Sequence, residues 1–325
     1  MTDTHSAPGA RRRRPAKAQS LALAPTTGVA DAFGQLVRNC LQQMRANETG
    51  VLHGRNPEYL HQYRVGLRRL RSALHIYRPL FEPAPYATID DALRRLAGTL
   101  GPARDWDVFI GETVMPLMRC EPQAAGLAAL HRRSAAERRR QISSMRDALN
   151  APDHADLMIG IEQYATAPAW RADEDAQDLL GMPLPAFAAS RIAQREKRLR
   201  KRVDNLAAAD AAQRHRVRIA AKRLRYAIAL FAALFERKTL RRHQMMLSAL
   251  QDVLGKLNDC ATARRLLEAL PAGRGKAAGA TALLIDWIAV QEQHALAALD
   301  LVYRDWRALE PFAEAAALEA SSAAT

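Results

Sequence analysis

Cysteine, aromatics and carboxylates are all scarce in this sequence, and each shortage argues against a class of protein. The three cysteines, Cys40, Cys120 and Cys260, lie far apart and form no CxxC. Neither a disulfide framework nor a zinc module fits that pattern, whereas a reducing cytoplasm does. Aromatics make up 6% of the residues and runs rich in Val, Ile and Thr are missing, which argues against a sheet-based core. No run of 18 apolar residues exists, and the longest candidate, Ala277 to Val290, is interrupted by Asp286. Insertion into a membrane is therefore not expected.

What is present points to helix. Apolar residues reach 49%, mostly Ala and Leu, and they are accompanied by abundant Arg, Glu and Gln. These are strong helix formers, so the expected fold class is all-α. The 48 Lys+Arg outnumber the 34 Asp+Glu, leaving a net charge of +14. A surplus of that size suits a polyanionic partner. Composition alone does not choose among nucleic acid, an anionic membrane and polyphosphate. Near the N-terminus, Arg11 to Arg14 precede Leu21-Ala22-Leu23-Ala24. That apolar stretch is short and broken by Pro25, so residues 1–27 read as a basic disordered tail rather than a targeting signal.

A repeat organises the rest. The segment His61-Gln62-Tyr63-Arg64-Val65-Gly66-Leu67-Arg68-Arg69-Leu70-Arg71 recurs as His215-Arg216-Val217-Arg218-Ile219-Ala220-Ala221-Lys222-Arg223-Leu224-Arg225. The offset of 154 holds without a gap, and 14 of 45 positions are identical between residues 61–105 and 215–259. Leu80-Phe81-Glu82 falls on Leu234-Phe235-Glu236, Leu100-Gly101 on Leu254-Gly255, and Asp105 on Asp259. The chain reads as a tandem duplication of two pseudo-symmetric antiparallel bundles of four-helix type. Residues 28–150 form the first bundle, 151–182 the connection, 183–310 the second bundle, and 311–325 a flexible tail.

Capping signals subdivide each half. Asn56-Pro57 starts the helix that carries the first motif, which runs to about Phe81. Gly101 and Gly255 are expected to end the following helices, with Asp105 and Asp259 capping the next ones. Those four residues are assigned structural roles, together with Arg69 and Arg223 as possible partners of the two aspartates.

On a helical wheel, His61, Arg64, Arg68, Arg71, His75 and Arg78 fall within an arc of about 100°. Tyr63, Leu67, Leu70, Leu74, Tyr77 and Phe81 occupy a different arc. The second copy places His215, Arg218, Lys222 and Arg225 on one stripe and Val217, Leu224, Ile228 and Phe231 on the other. Cations spaced this way repel by a few tenths of a kcal/mol per pair. No carboxylate lies between Tyr59 and Phe81 or between Asp210 and Phe235 to compensate, so an external anion is expected. Arg191, Arg195, Arg198 and Arg202, with Arg132 and Arg139, form further rows that extend the surface if they reach it. His131, His154, His243 and His294 have no counterpart in the repeat and are expected to have no specific role.

The pair of motifs, each followed by Leu-Gly-x-x-Arg/Asn-Asp, resembles the CHAD domain (conserved histidine α-helical domain). The resemblance spans about residues 28–310. It implies two pseudo-symmetric bundles with a basic surface or pore, binding of inorganic polyphosphate and association with polyphosphate granules. By position it places that ligand on His61, Arg64, Arg68, Arg71, His215, Arg218, Lys222 and Arg225. Relatives are often fused to a CYTH-type triphosphate-processing segment, which this sequence lacks, so no triphosphatase activity is expected.

Two alternatives remain on the residues. A nucleic-acid binder fits the basic faces, although single-strand grooves interleave aromatics with the cations and only Tyr226 stands beside a stripe. A metal site on His61 and His215 is the weaker one, since flanking arginines repel a cation and no Cys or carboxylate is near. No metal, cofactor or enzymatic activity is expected: no nucleophile–base pair, glycine-rich phosphate loop or carboxylate dyad stands out.

Overall fold

The computed structural model describes residues 14–202, 206, 208–271 and 275–316. Arg11 to Arg13 and most of the C-terminal tail lie outside them. The described residues form eleven α-helices and no β-strand. In order these are α1 (Val29–His53), α2 (Glu58–Tyr77), α3 (Pro83–Val108), α4 (Met115–Cys120), α5 (Leu127–Asn150), α6 (Pro152–Thr166), α7 (Glu174–Gly181), α8 (Leu184–Arg200), α9 (Ala211–Leu230), α10 (Arg237–Glu268) and α11 (Lys276–Arg307). A 3-10 turn follows α2 at Arg78–Leu80 and another follows α9 at Ala232–Leu234, 154 residues later.

The motif helices start where capping chemistry places them. The Asn56 side chain accepts from the Glu58 N–H at 2.9 Å. Asp210 accepts from Gln213 N–H at 2.6 Å, and Gln213 Oε1 accepts from Asp210 N–H at 2.8 Å, which is a complete capping box. The apolar arc of α2 is buried as the wheel requires: Tyr63, Leu67, Leu70, Leu74 and Tyr77 are each at most 2% exposed.

Gly101 and Gly255 do not end their helices. α3 and α10 run straight through them, so Asp105 and Asp259 are interior residues and cap nothing. A glycine inside a helix costs only about 0.5–1 kcal/mol relative to Ala. Leu93, Leu100, Ala103 and Trp106 on α3, and Leu247, Leu254 and Leu257 on α10, stay buried on both sides of the glycine. Continuous packing outweighs that local preference.

The segments read as tail and connection are also built in. Residues 151–182 contain α6 and α7, and Trp170 stacks on Phe81 at 5.0 Å with 12° between the rings. The backbone ties there too, Glu82 N–H donating to Ala169 O at 2.9 Å and Arg171 N–H to Leu80 O at 2.8 Å. In the N-terminal segment, Ala16 exchanges two hydrogen bonds with the Asn47 side chain, and Leu23 is buried. Phe312 is fully buried and donates its N–H to Glu196 at 2.8 Å.

Both halves share their apolar interior. Tyr77 of α2 meets Phe187 of α8 at 5.1 Å, and Phe187 meets Phe231 at 6.3 Å. A smaller cluster joins Trp106, Phe109, Leu127 and Leu130 of the first half to Cys260, Leu266, Leu284 and Ile288 of the second. Gly126, ahead of α5, has φ +94°, and a Cβ there would overlap the Lys276 carbonyl at the start of α11. Gly126→Ala is expected to cost about 1–3 kcal/mol, read as a lower denaturation midpoint with an unchanged slope.

Candidate anion-binding site

The two basic stripes converge because α2 and α9 pack on each other. Arg68 Nε donates to the Tyr226 hydroxyl at 2.9 Å, joining the copies directly. Around this bond Arg64, Arg68, Arg218 and Lys222 crowd together, and Arg104 of α3 stands near His61 and Arg64. Burial, followed by the neighbouring cations, pushes Arg64 down to about 10 and Lys222 to about 7. Arg218 is lowered for the same reasons, burial first. Proximity of like charges in a desolvated place is what lowers a base.

The carboxylates missing from α2 and α9 come from other helices. Asp105 of α3 pairs with Arg265 at 3.1 Å and feels Arg64, and Asp259 of α10 feels Arg218 and Lys222. Burial raises both above the usual range, and the nearby arginines only partly offset it. Neither aspartate pairs as expected with Arg69 or Arg223. Arg69 instead points at α1, donating to Gln43 Oε1 at 2.8 Å and Asn39 Oδ1 at 2.7 Å.

By contrast, the Nε groups of Arg64 and its repeat equivalent Arg218 are buried with no hydrogen-bond partner, as is that of Arg71. A buried donor left unpaired costs about 1–3 kcal/mol. Strain of this kind collects where side chains are positioned for function rather than for stability. Arg64 is further held by donating to the Ala97 carbonyl at 3.2 Å.

Further along α2 lies a second basic region, a cleft between α2, α3, α8 and α9. Arg71 reaches Asp90 of α3 at 3.5 Å, and Arg94 holds the same carboxylate at 2.7 Å. His75 has Nδ1 at 2.6 Å from the Tyr86 hydroxyl and Nε2 at 3.4 Å from Arg223 Nη2. A guanidinium only donates, so Nε2 accepts and the proton sits on Nδ1. Burial and then Arg223 push His75 down to about 4, which keeps it neutral. Arg195 is half-buried and pinned, its two Nη groups donating to the Arg191 and His75 carbonyls at 2.8 Å each.

The expected residues are thus unequally placed. Arg64, Arg68, Arg218 and Lys222 cluster, while Arg71 lines the cleft with Arg78, Arg195, Arg198 and Arg202. Arg191 lies over the Phe187 ring at 5.6 Å, and Arg225 over Tyr226 at 5.7 Å. His61 is half-buried and lowered by burial and Arg104, and His215 is exposed. Arg132 and Arg139 are exposed on α5 and do not line the cleft. Arg223, assigned a structural role from sequence, lines the cleft instead, because α8 presents its own arginine row to that side of α9. Arg104, Arg171 and Tyr86 were not legible at all, since only the fold brings α3 and the connecting segment to α2.

An all-helical protein in which two cationic helices meet is the class that this fold and site define. The chain belongs to the CHAD family: the family's model, described as the CHAD domain, matches residues 35–268. It is similar to the crystal structure of the CHAD domain from the plant Ricinus communis, at 31% identity and a TM-score of 0.77, covering 92% of this chain and 98% of that one. A second solved structure, PptA from Streptomyces chartreusis, shares the fold at 17% identity and a TM-score of 0.64, covering 86% and 100%. Comparison with curated proteins finds no match.

Proposed function

We propose that the protein binds inorganic polyphosphate without transforming it, through the cations that α2 and α9 bring together. The observation that carries this reading is the convergence of Arg64, Arg68, Arg218 and Lys222 around the Arg68–Tyr226 bond. These groups donate hydrogen bonds and supply charge, which is what holding a phosphate chain requires. Membership of the CHAD family supports the same ligand, and association with polyphosphate granules follows from it. Nucleic acid is the second reading and is less favoured. Tyr226, the aromatic beside the stripe, is buried at 8% exposure and its hydroxyl is engaged by Arg68, so it offers no base a stacking face.

Competition decides between the two. Polyphosphate of defined length, single-stranded DNA and duplex DNA are titrated against the protein at two salt concentrations. Polyphosphate is expected to bind at least about tenfold more tightly than either DNA; equal affinity for all three overturns the proposal. The pH dependence carries its own sign. Lys222 sits near 7 in the free protein, beside Arg218, Arg68, Asp259 and Arg225. A bound anion favours its charged form, so above neutrality binding takes up a proton. Affinity is expected to fall about threefold to tenfold between about pH 6 and pH 8, and Lys222→Arg is expected to flatten that slope.

A further inference from the structure

The cleft beside the α2–α9 contact has a feature that a bare phosphate chain does not use. It consists of two adjoining chambers that share His75, Arg78, Arg195, Arg198 and Arg223. The larger has a volume of about 800 Å³, within the usual range of small-ligand sites. The smaller has a volume of about 170 Å³ and opens into the larger along their shared wall. Its wall includes Ile219, an isoleucine left 38% exposed, beside Ala220. Among the described residues no carboxylate lines this smaller chamber, whereas the larger holds Asp90 and Asp91, both already engaged by Arg94.

Exposed Ile219 set among guanidinium groups is an amphipathic arrangement. Arginine planes stack on flat rings, and arginine forks grip phosphate oxygens, so the same residues serve both halves of a mixed ligand. Arg195 is fixed by two backbone carbonyls and His75 by Tyr86 and Arg223, so part of the wall is preorganised. We propose that this cleft is a distinct site for a nucleoside polyphosphate, the base over Ile219 and Ala220 in the small chamber and the phosphates along the arginines of the larger. It does not depend on polyphosphate binding at the Arg64–Arg218 cluster.

Calorimetric titration of the full chain with ATP, inorganic tripolyphosphate and adenosine tests this, since the last two carry the charge and the ring separately. ATP is expected to bind at least about tenfold more tightly than either. Ile219→Asn, at an exposed position, is expected to weaken ATP about tenfold and leave tripolyphosphate unchanged. Arg198→Glu with Arg202→Glu, both on the exposed rim, is expected to weaken ATP and tripolyphosphate alike. Arg64→Glu with Arg218→Glu is expected to retain ATP binding, which separates this site from the one above. Equal affinity for ATP and tripolyphosphate, or ATP binding indifferent to Ile219→Asn, overturns the proposal.

Discussion

Reversing Arg64 and Arg218 together, as Arg64→Glu/Arg218→Glu, is expected to lower polyphosphate affinity by about 10²- to 10⁴-fold. The magnitude follows from two charge-assisted contacts of about 1.5–3 kcal/mol each, lost from the middle of one cluster. The paired reversal Arg132→Glu/Arg139→Glu changes net charge equally but acts on exposed side chains of α5 that are not among the charges acting on Arg64, Arg218 or Lys222. Its effect is expected to stay within about threefold, because salt screens solvent-exposed charges far more than buried ones. Fluorescence anisotropy with labelled polyphosphate measures both. The salt slope is expected to shrink by about 2 for the first variant, since two phosphate contacts disappear. Arg64→Gln/Arg218→Gln, with a thermal melt, guards against misfolding from two buried carboxylates. Equal losses for the two reversals would mean that the protein reads net charge and not this cluster.

Arg200→Met is expected to be among the most destabilising single changes, by about 3–5 kcal/mol. Glu196 is only 2% exposed, and Arg200 holds it at 2.8 Å. Arg200 also donates to the Arg307 and Leu309 carbonyls at the end of α11, at 2.8 Å each, and lies 4.9 Å over the Trp306 ring. Removing the guanidinium leaves a buried carboxylate whose remaining donor is the Phe312 N–H. The double variant Glu196→Gln/Arg200→Met removes that uncompensated charge and is expected to lose less than the single one. Chemical denaturation monitored by circular dichroism checks both. A loss below about 1 kcal/mol for Arg200→Met would mean that α11 is anchored by apolar packing alone.

The sequence carried the periodic features and missed the tertiary ones. The apolar arc from Tyr63 to Tyr77 depends only on 3.6-residue spacing and is buried as read. The basic row beside it is divided, Arg68 standing at the α2–α9 contact and Arg71 and His75 lining the cleft. Gly101 and Gly255 look like stops because a glycine's local preference is visible in sequence, while the leucines packed on either side act only once the fold exists. Arg69 and Arg223 are equivalent by repeat and identical in type, yet one is saturated by Gln43 and Asn39 and the other faces a cleft. What separates them is the neighbour each helix meets, α1 in one case and the arginine row of α8 in the other. The same limit hid His154, which reaches Glu48 at 2.8 Å and the Tyr63 hydroxyl at 3.3 Å beneath α1, and His243, enclosed by the Thr239 and Glu310 carbonyls.

The aromatic chain Tyr77–Phe187–Phe231 has a kinetic corollary. Because it links the end of α2 through α8 to the residue that closes α9, packing sets the spacing of the two basic helices before any anion arrives. Association is then expected in a single phase, paced by electrostatic capture and slowed by salt, with no later isomerisation. Differences between long and short chains are expected to reside in how slowly they leave.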